Sequence, residues 1–414
     1  MKKETKKLSQ LTKTLRFQIA SDGDQELSET IRAYIAVYNA VIDYSVLKNV
    51  TDPLEINKAL YHRLRAQYPN LPCALQQSAR NCACEAMKSE WTKAKNRAKK
   101  KKQPTPTTLL QLRRLPRMKI TAAMRYTSTT LTLRGQQLTF STNGKRRRVI
   151  LTPPTAFQDT FKNWNCKSGT IAYRDGVIHI NLTFKTPAPQ ILQPASVDQV
   201  IGCDAGIHHV LTLSSMLFFS AAVVRMLQRR YLYNRKTLQA KGTSSSRKRL
   251  KAIGQREQRF NRDVNHCISK KLIALPYNLY VLEKLNEILE TKSSAKSWET
   301  GKKHGNKRLH SWSFAQLQFF ITYKAMAVGK RVEFVNPYMT SQECCLCGKK
   351  GPRHGSRFVC PHCRSTCHAD ANAAVNIKYR SKTLQNLLAS LGLPDRPQSI
   401  GHMLQASACR IRYA

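Results

Sequence analysis

Hydrophobic and polar positions change period several times along the chain. Residues 13–20, Lys-Thr-Leu-Arg-Phe-Gln-Ile-Ala, alternate and predict one strand. The period then lengthens. Leu27, Ile31, Tyr34, Ile35, Tyr38, Val41 and Ile42 recur every three or four residues, which predicts a helix behind a cap at Ser21 or Asp22. A second helix is expected over about 54–68. A third starts at Pro72, a residue suited to a first helical turn, and runs into the basic stretch Lys93–Lys102.

Short alternating segments follow at 126–133, 138–141, 148–151, 170–174 and 177–184, separated by the turn pairs Arg134-Gly135, Asn143-Gly144 and Asp175-Gly176. With 13–20 they predict a β-barrel-like module that carries the helices as an insertion. Pro187, Pro189 and Pro194 read as a linker. Beyond it, a strand at 200–204 ends in Asp204 and leads into a long helical region. That region carries an apolar stripe through Leu250, Ile253, Phe260, Val264, Ile268, Leu272 and Leu275. A strand at 279–283 ends in Glu283, 293–311 reads as a mobile basic loop, a helix runs from Phe314 to Val328, and 332–335 is a further strand. The class is multidomain α+β.

Charge narrows the choice of partner. The 414 residues hold 70 Lys+Arg against 24 Asp+Glu, a net charge of +46 whose self-repulsion opposes compaction unless a polyanion neutralises it. A small-metabolite enzyme has no use for such an excess. Nucleic acid is the default partner and acidic membrane the weaker one. A hydrophobic content of 41% supplies real cores, so wholesale disorder is excluded. The most apolar run, Val210–Val224, is shorter than the ~18 residues of a membrane span. The Lys-rich start shows no signal-peptide pattern, and 13 cysteines, an odd number, fit a reduced compartment with a metal site. The chain is expected to be soluble and intracellular. Lys99, Lys100, Lys101 and Lys102 admit two readings, a solvated helix end or an arm on phosphates; no acidic block nearby neutralises them, which favours the arm.

Two sets of residues carry chemistry. Cys344-x-x-Cys347 and Cys360-x-x-Cys363, joined by a loop with Gly348, Gly351 and Gly355, have the spacing of a four-thiolate zinc ribbon. Cys367 or His362 is a substitute ligand, and Cys345 a poorer one. The other set is dispersed: Asp204, Glu283 and Asp370, scarce acids beside apolar or small-residue contexts. Each alone suits a cap, ion pair or turn. Converging, they would need a divalent cation or shifted pKa values.

Ile201-Gly202-Cys203-Asp204-Ala205-Gly206, Val281-Leu282-Glu283-Lys284-Leu285, Tyr338 to Cys344, and His368-Ala369-Asp370-Ala371-Asn372-Ala373-Ala374-Val375-Asn376-Ile377 occur in order. In these motifs the chain resembles TnpB, the transposon-encoded relative of compact type V CRISPR effectors, over about 1–380. The resemblance implies an RNA-guided DNA endonuclease. Its expected parts are a barrel wedge domain (1–22 and 115–190) with a helical recognition lobe (23–114), an RNase H-like RuvC domain (196–340 and 366–380) and an inserted zinc ribbon (341–365). The tail 381–414 carries no family signal and is expected to be disordered or to contact RNA. Asp204, Glu283 and Asp370 would hold two Mg²⁺ and one Zn²⁺ would sit in the ribbon. Guide RNA and target double-stranded DNA would be the partners, with one or two copies per RNA, in a prokaryotic cytoplasm at the nucleoid. Arg146, Arg147, Arg148, Arg247, Lys248 and Arg249 join the lysine run as nucleic-acid contacts. The chain departs from the family at Ala205, at Ser214–Leu217, at Lys284 and at His368, where relatives carry an acid. A guided binder without cleavage and an RNA-binding transposition accessory are the alternatives, and poor stability without RNA is expected.

Overall fold

The computed structural model describes residues 10–21, 24–206, 208–284, 313–399 and 409–411. The segment read as a basic loop (293–311), Asp22 and the side chains of Lys100 and Lys101 lie outside the described residues. The chain forms two units, Met1–Pro187 and Ala188–Ala414.

In the first unit, alternation in Gln10–Ala20 (β1) places Leu15 and Phe17 inward. Three helices follow: Gln25–Lys48 (α1), Pro53–Gln67 (α2) and Cys73–Lys101 (α3). Helix α1 is capped by Asp24, not by Ser21 or Asp22. The Asp24 carboxylate accepts the Leu27 amide at 3.1 Å, while the Ser21 hydroxyl donates to that same carboxylate. The stretch read as one strand over 126–133 is two, Met124–Thr127 (β2) and Leu131–Arg134 (β3), because Thr130 Oγ1 turns back to accept the Thr127 amide at 2.9 Å. Next come Gln137–Ser141 (β4), Arg146–Ile150 (β5), the short helix Gln158–Asn163 (α4), Asn165–Arg174 (β6) and Val177–Pro187 (β7). They make one sheet of order β1-β7-β6-β2 and another of order β3-β4-β5. A single apolar cluster joins the faces of α1, α2 and α3 to both sheets, with Tyr34, Tyr126, Phe140 and Phe184 fully buried.

The second unit is built on a sheet of order β12-β11-β8-β9-β10-β16, from Val200–Asp204 (β8), His209–Leu213 (β9), Leu217–Ser220 (β10), Leu279–Glu283 (β11), Arg331–Val335 (β12) and Cys409–Ile411 (β16). The β8, β11 and β12 strands are parallel neighbours, and β9 runs against β8. The helical region read as following Asp204 directly is preceded by the β9–β10 hairpin. Its turn passes through Met216 at φ 62°, a left-handed conformation no helix holds. Helices Ala222–Lys241 (α5) and Ser244–Ile273 (α6) then form a hairpin, and Phe314–Ala327 (α7) follows. Leu275, assigned above to the stripe, lies past the end of α6.

Strand alternation sends Ile201, Cys203, Tyr280 and Leu282 to one face, under α6 and α7, and Val200, Leu279 and Val281 to the other. That other face is covered from Ile377 of Ala369–Tyr379 (α8) and from Leu384 and Leu388 of Lys382–Ser390 (α9). The tail beyond 380 is therefore not structureless: α9 closes a core face through its apolar side, and the backbone of β16 pairs with β10. Strands Arg353–His354 (β13), Arg357–Val359 (β14) and Thr366–His368 (β15) make a small separate sheet.

Candidate functional site

Asp204 closes β8 and Glu283 closes β11. The parallel register pairs Cys203 with Leu282, so the two acids end neighbouring strands at their carboxyl ends. Asp370 arrives in the first turn of α8, which crosses β8 closely. Gly202 permits that approach: a Cβ there would lie 2.0 Å from the Ala374 carbonyl oxygen and 2.6 Å from the Lys378 nitrogen. Two asparagines of the same helix fasten the next chain segment. Asn372 accepts from the Cys345 amide at 2.9 Å and donates to the Glu343 carbonyl, while Asn376 donates to the carbonyls of Thr340 and Glu343 at 2.9 and 2.8 Å.

Asp204 is the acid that feels the charges of both others. Burial, then the charges of Glu283 and Asp370, push the Asp204 carboxyl well above the ordinary carboxylate range. Burial also raises Glu283, against the Thr340 hydroxyl, which donates to Glu283 Oε1 at 2.5 Å, and the charge of Arg380. Asp370 is the opposite case. Burial would raise it, but the His209 hydrogen bond and the Arg353 charge outweigh burial and hold it low. Arg353 Nη2 donates to Asp370 Oδ1 at 2.7 Å, and His209 Nδ1 lies 3.4 Å from Oδ2. Sequence spacing signals none of Arg353, Thr340, Arg380 or His209. Each reaches the acids from an element distant in the chain, and only the fold supplies that proximity.

Cys344, Cys347, Cys360 and Cys363 form the second centre, a group that could hold a metal ion. Sulfur contacts of 3.5 Å join Cys344 to Cys363 and Cys347 to Cys360. These are close to the ~3.8 Å edges of a tetrahedron with ~2.3 Å zinc–thiolate arms. A hydrogen bond from Ser365 draws the Cys363 thiol down to about 6, favouring the metal-binding thiolate. The substitutes fall away: His362 is exposed outside the group, and Cys367 engages the Cys345 thiol instead.

The basic candidates divide. Lys99 and Lys102 are exposed near the end of α3, and Arg247, Lys248 and Arg249 near the start of α6. Arg249 also lines a groove of about 530 Å³ between α5 and α6, together with Arg230, Tyr233, Lys241 and Arg256. On β5, Arg146 and Arg148 point outward. Arg147 does not act as a free contact: alternation turns it inward, where it ion-pairs with the buried Asp24 and donates to Ser21 at 3.1 Å. Among the described residues, no helix is long and apolar enough to cross a membrane.

Residues 314–377 match the family described as Cas12f1-like, TNB domain. The chain is similar to a TnpB-like protein of Methanocaldococcus jannaschii, at 28% identity over 242 residues, or 55% of this chain and 82% of that protein. It is similar also to the CRISPR-associated endodeoxyribonuclease Cas12f1 of Syntrophomonas palmitatica, at 26% identity over 207 residues, or 40% of this chain and 39% of that protein. A cryo-EM structure of a Cas12f1-sgRNA-target DNA complex aligns with 89% of this chain and 99% of that chain at 15% identity. Its TM-score of 0.35 makes this likeness too loose to bear on function.

Proposed function

We propose that this chain, a member of the TnpB/Cas12f-type family, is an RNA-guided DNA endonuclease whose second unit is a RuvC-type nuclease and whose first unit is a wedge with a helical recognition lobe. The observation that carries the reading is that Asp204 and Glu283 end neighbouring parallel strands, while Asp370 opens the helix seated on β8 and its charge reaches Asp204. A carboxyl pushed toward its neutral form by burial and then by two neighbouring acids is one that a hard divalent cation relieves, and an all-oxygen donor set fits magnesium. Bound there, magnesium supplies an activated water and neutralises charge at the scissile phosphate. Asp204 and Glu283 would hold it from the strand ends and Asp370 from α8. Thr340 fixes the Glu283 carboxylate through Oε1, and Arg353 holds the Asp370 carboxylate through Oδ1.

The four thiols fit a structural zinc, which would hold the ribbon and, through its 366–368 strand, seat Asp370. Guide RNA selects the target by pairing, and the protein grips backbones and a short adjacent motif. The test supplies guide RNA, matched duplex and Mg²⁺ to wild type and Asp204→Ala. Cutting by wild type alone is expected, with binding retained by both. Binding by both with cutting by neither would leave a guided DNA-binding regulator instead.

A further inference from the structure

His209, His368 and Asp370 bring one ligand atom each within 4.8 Å of one another. They come from two places in the fold. His209 opens β9 of the central sheet, whereas His368 ends β15 and caps α8, two residues before Asp370. The rings are held in place by aromatic packing: buried Phe218 lies 4.8 Å from the His209 ring and 4.9 Å from the His368 ring, which are 5.8 Å from each other. The 3.4 Å between His209 Nδ1 and Asp370 Oδ2 is long for a charge-assisted hydrogen bond. It is close to the span of two ligands each about 2.1 Å from one ion. His368 Nδ1 accepts the Asp370 amide at 3.3 Å, which turns its other ring nitrogen to a different task.

We infer that His209, His368 and Asp370 form a site for a divalent first-row transition ion. Two imidazoles and one carboxylate are the donor set that binds manganese, iron, cobalt or zinc, while magnesium takes oxygen ligands. The inference rests on the reading of Asp370 as a nuclease-centre acid only in that the carboxylate is shared. The centre then has an oxygen-rich side at Asp204 and Glu283 and a nitrogen-bearing side at the two histidines.

Manganese is the probe, with the full-length protein carrying zinc in its ribbon thiols, and electron spin-echo spectroscopy the readout. Wild type is expected to bind Mn²⁺ with nitrogen coupling that changes on ¹⁵N-histidine labelling. His368→Asn retains a helix-capping side chain and His209→Asn a polar one. Each should weaken binding by about tenfold or more, and the double variant should lose the nitrogen coupling. Unchanged zinc content reports that the ribbon is still folded in each variant. Manganese held by oxygen ligands alone, or equal affinity in the variants, overturns the inference. Guided cleavage in Mg²⁺ beside such a result would sink this site and spare the nuclease; nitrogen-coupled manganese without guided cleavage would do the reverse.

Discussion

Asp204 and Asp370 are the same residue type with opposite fates. Asp204 is buried against like charge and driven up, whereas Asp370 is buried against Arg353 and His209 and driven down. The sign of the pH dependence follows. The folded state of Asp204 holds its proton to higher pH than the unfolded chain, so its contribution is favourable in acid and is lost as pH rises through the folded value. Asp204→Asn removes that loss. Without added Mg²⁺ or Mn²⁺, the variant should melt with wild type near about pH 4 and above it near neutrality. A difference that stays flat across pH would mean that neither burial nor its neighbouring acids raise Asp204. Arg147 shows the same dependence on context in a basic residue. It sits in a run of three arginines, but strand alternation commits it to Asp24 and leaves Arg146 and Arg148 to solvent.

At the scale of elements, α8 organises the second unit. It places Asp370 at its first turn, ties the ribbon's entry segment through Asn372 and Asn376, and covers β8 over Gly202. Backbone atoms, rather than a movable side chain, bound the space at Gly202, so relaxation there would displace the helix. Gly202→Ala should cost about 3 kcal/mol and abolish cleavage together with it, seen as a lower urea midpoint with an unchanged slope. An unchanged midpoint would show that α8 is not seated on β8 in solution. The elements themselves are largely legible in the sequence, since long amphipathic periods and strands ending in acids are local signals. The β9–β10 hairpin escapes such reading because its apolar run, Val210–Val224, has no clear period, and the left-handed position in its turn is taken by Met216 rather than by a Gly or Asn that would announce it. Helix α9 escapes it too, because a short segment past the last motif offers little but Leu384 and Leu388, whose partners lie on strands far back in the chain.

For the whole molecule, the +46 excess is carried by side chains that have few acids to meet. The exposed Arg247, Lys248 and Arg249 and the basic groove between α5 and α6 are its clearest local expression in the second unit. Replacing those three by Ala should weaken nucleic-acid binding and reduce the slope of log K against log salt by about 0.9 for each phosphate left without its cation. Arg147→Ala should leave the slope alone and lower stability instead, because it strands the buried Asp24 carboxylate. Equal slopes for the triple variant and wild type would return the start of α6 to an ordinary solvated surface.

The sequence by itself determined the charge excess, the spacing of the four thiols and most of the helices and strands, while only the resemblance of their motifs singles out the three acids. Those properties reside in composition, in ligand spacing over a few residues and in local periodicity. Only the tertiary structure decided that Asp204 and Glu283 end adjacent parallel strands, that Arg353 and His209 hold Asp370, and that Arg147 belongs to a helix cap. Each of those facts joins residues that the chain order keeps apart. Charge, burial and donor geometry act through distance in space, which no local pattern encodes.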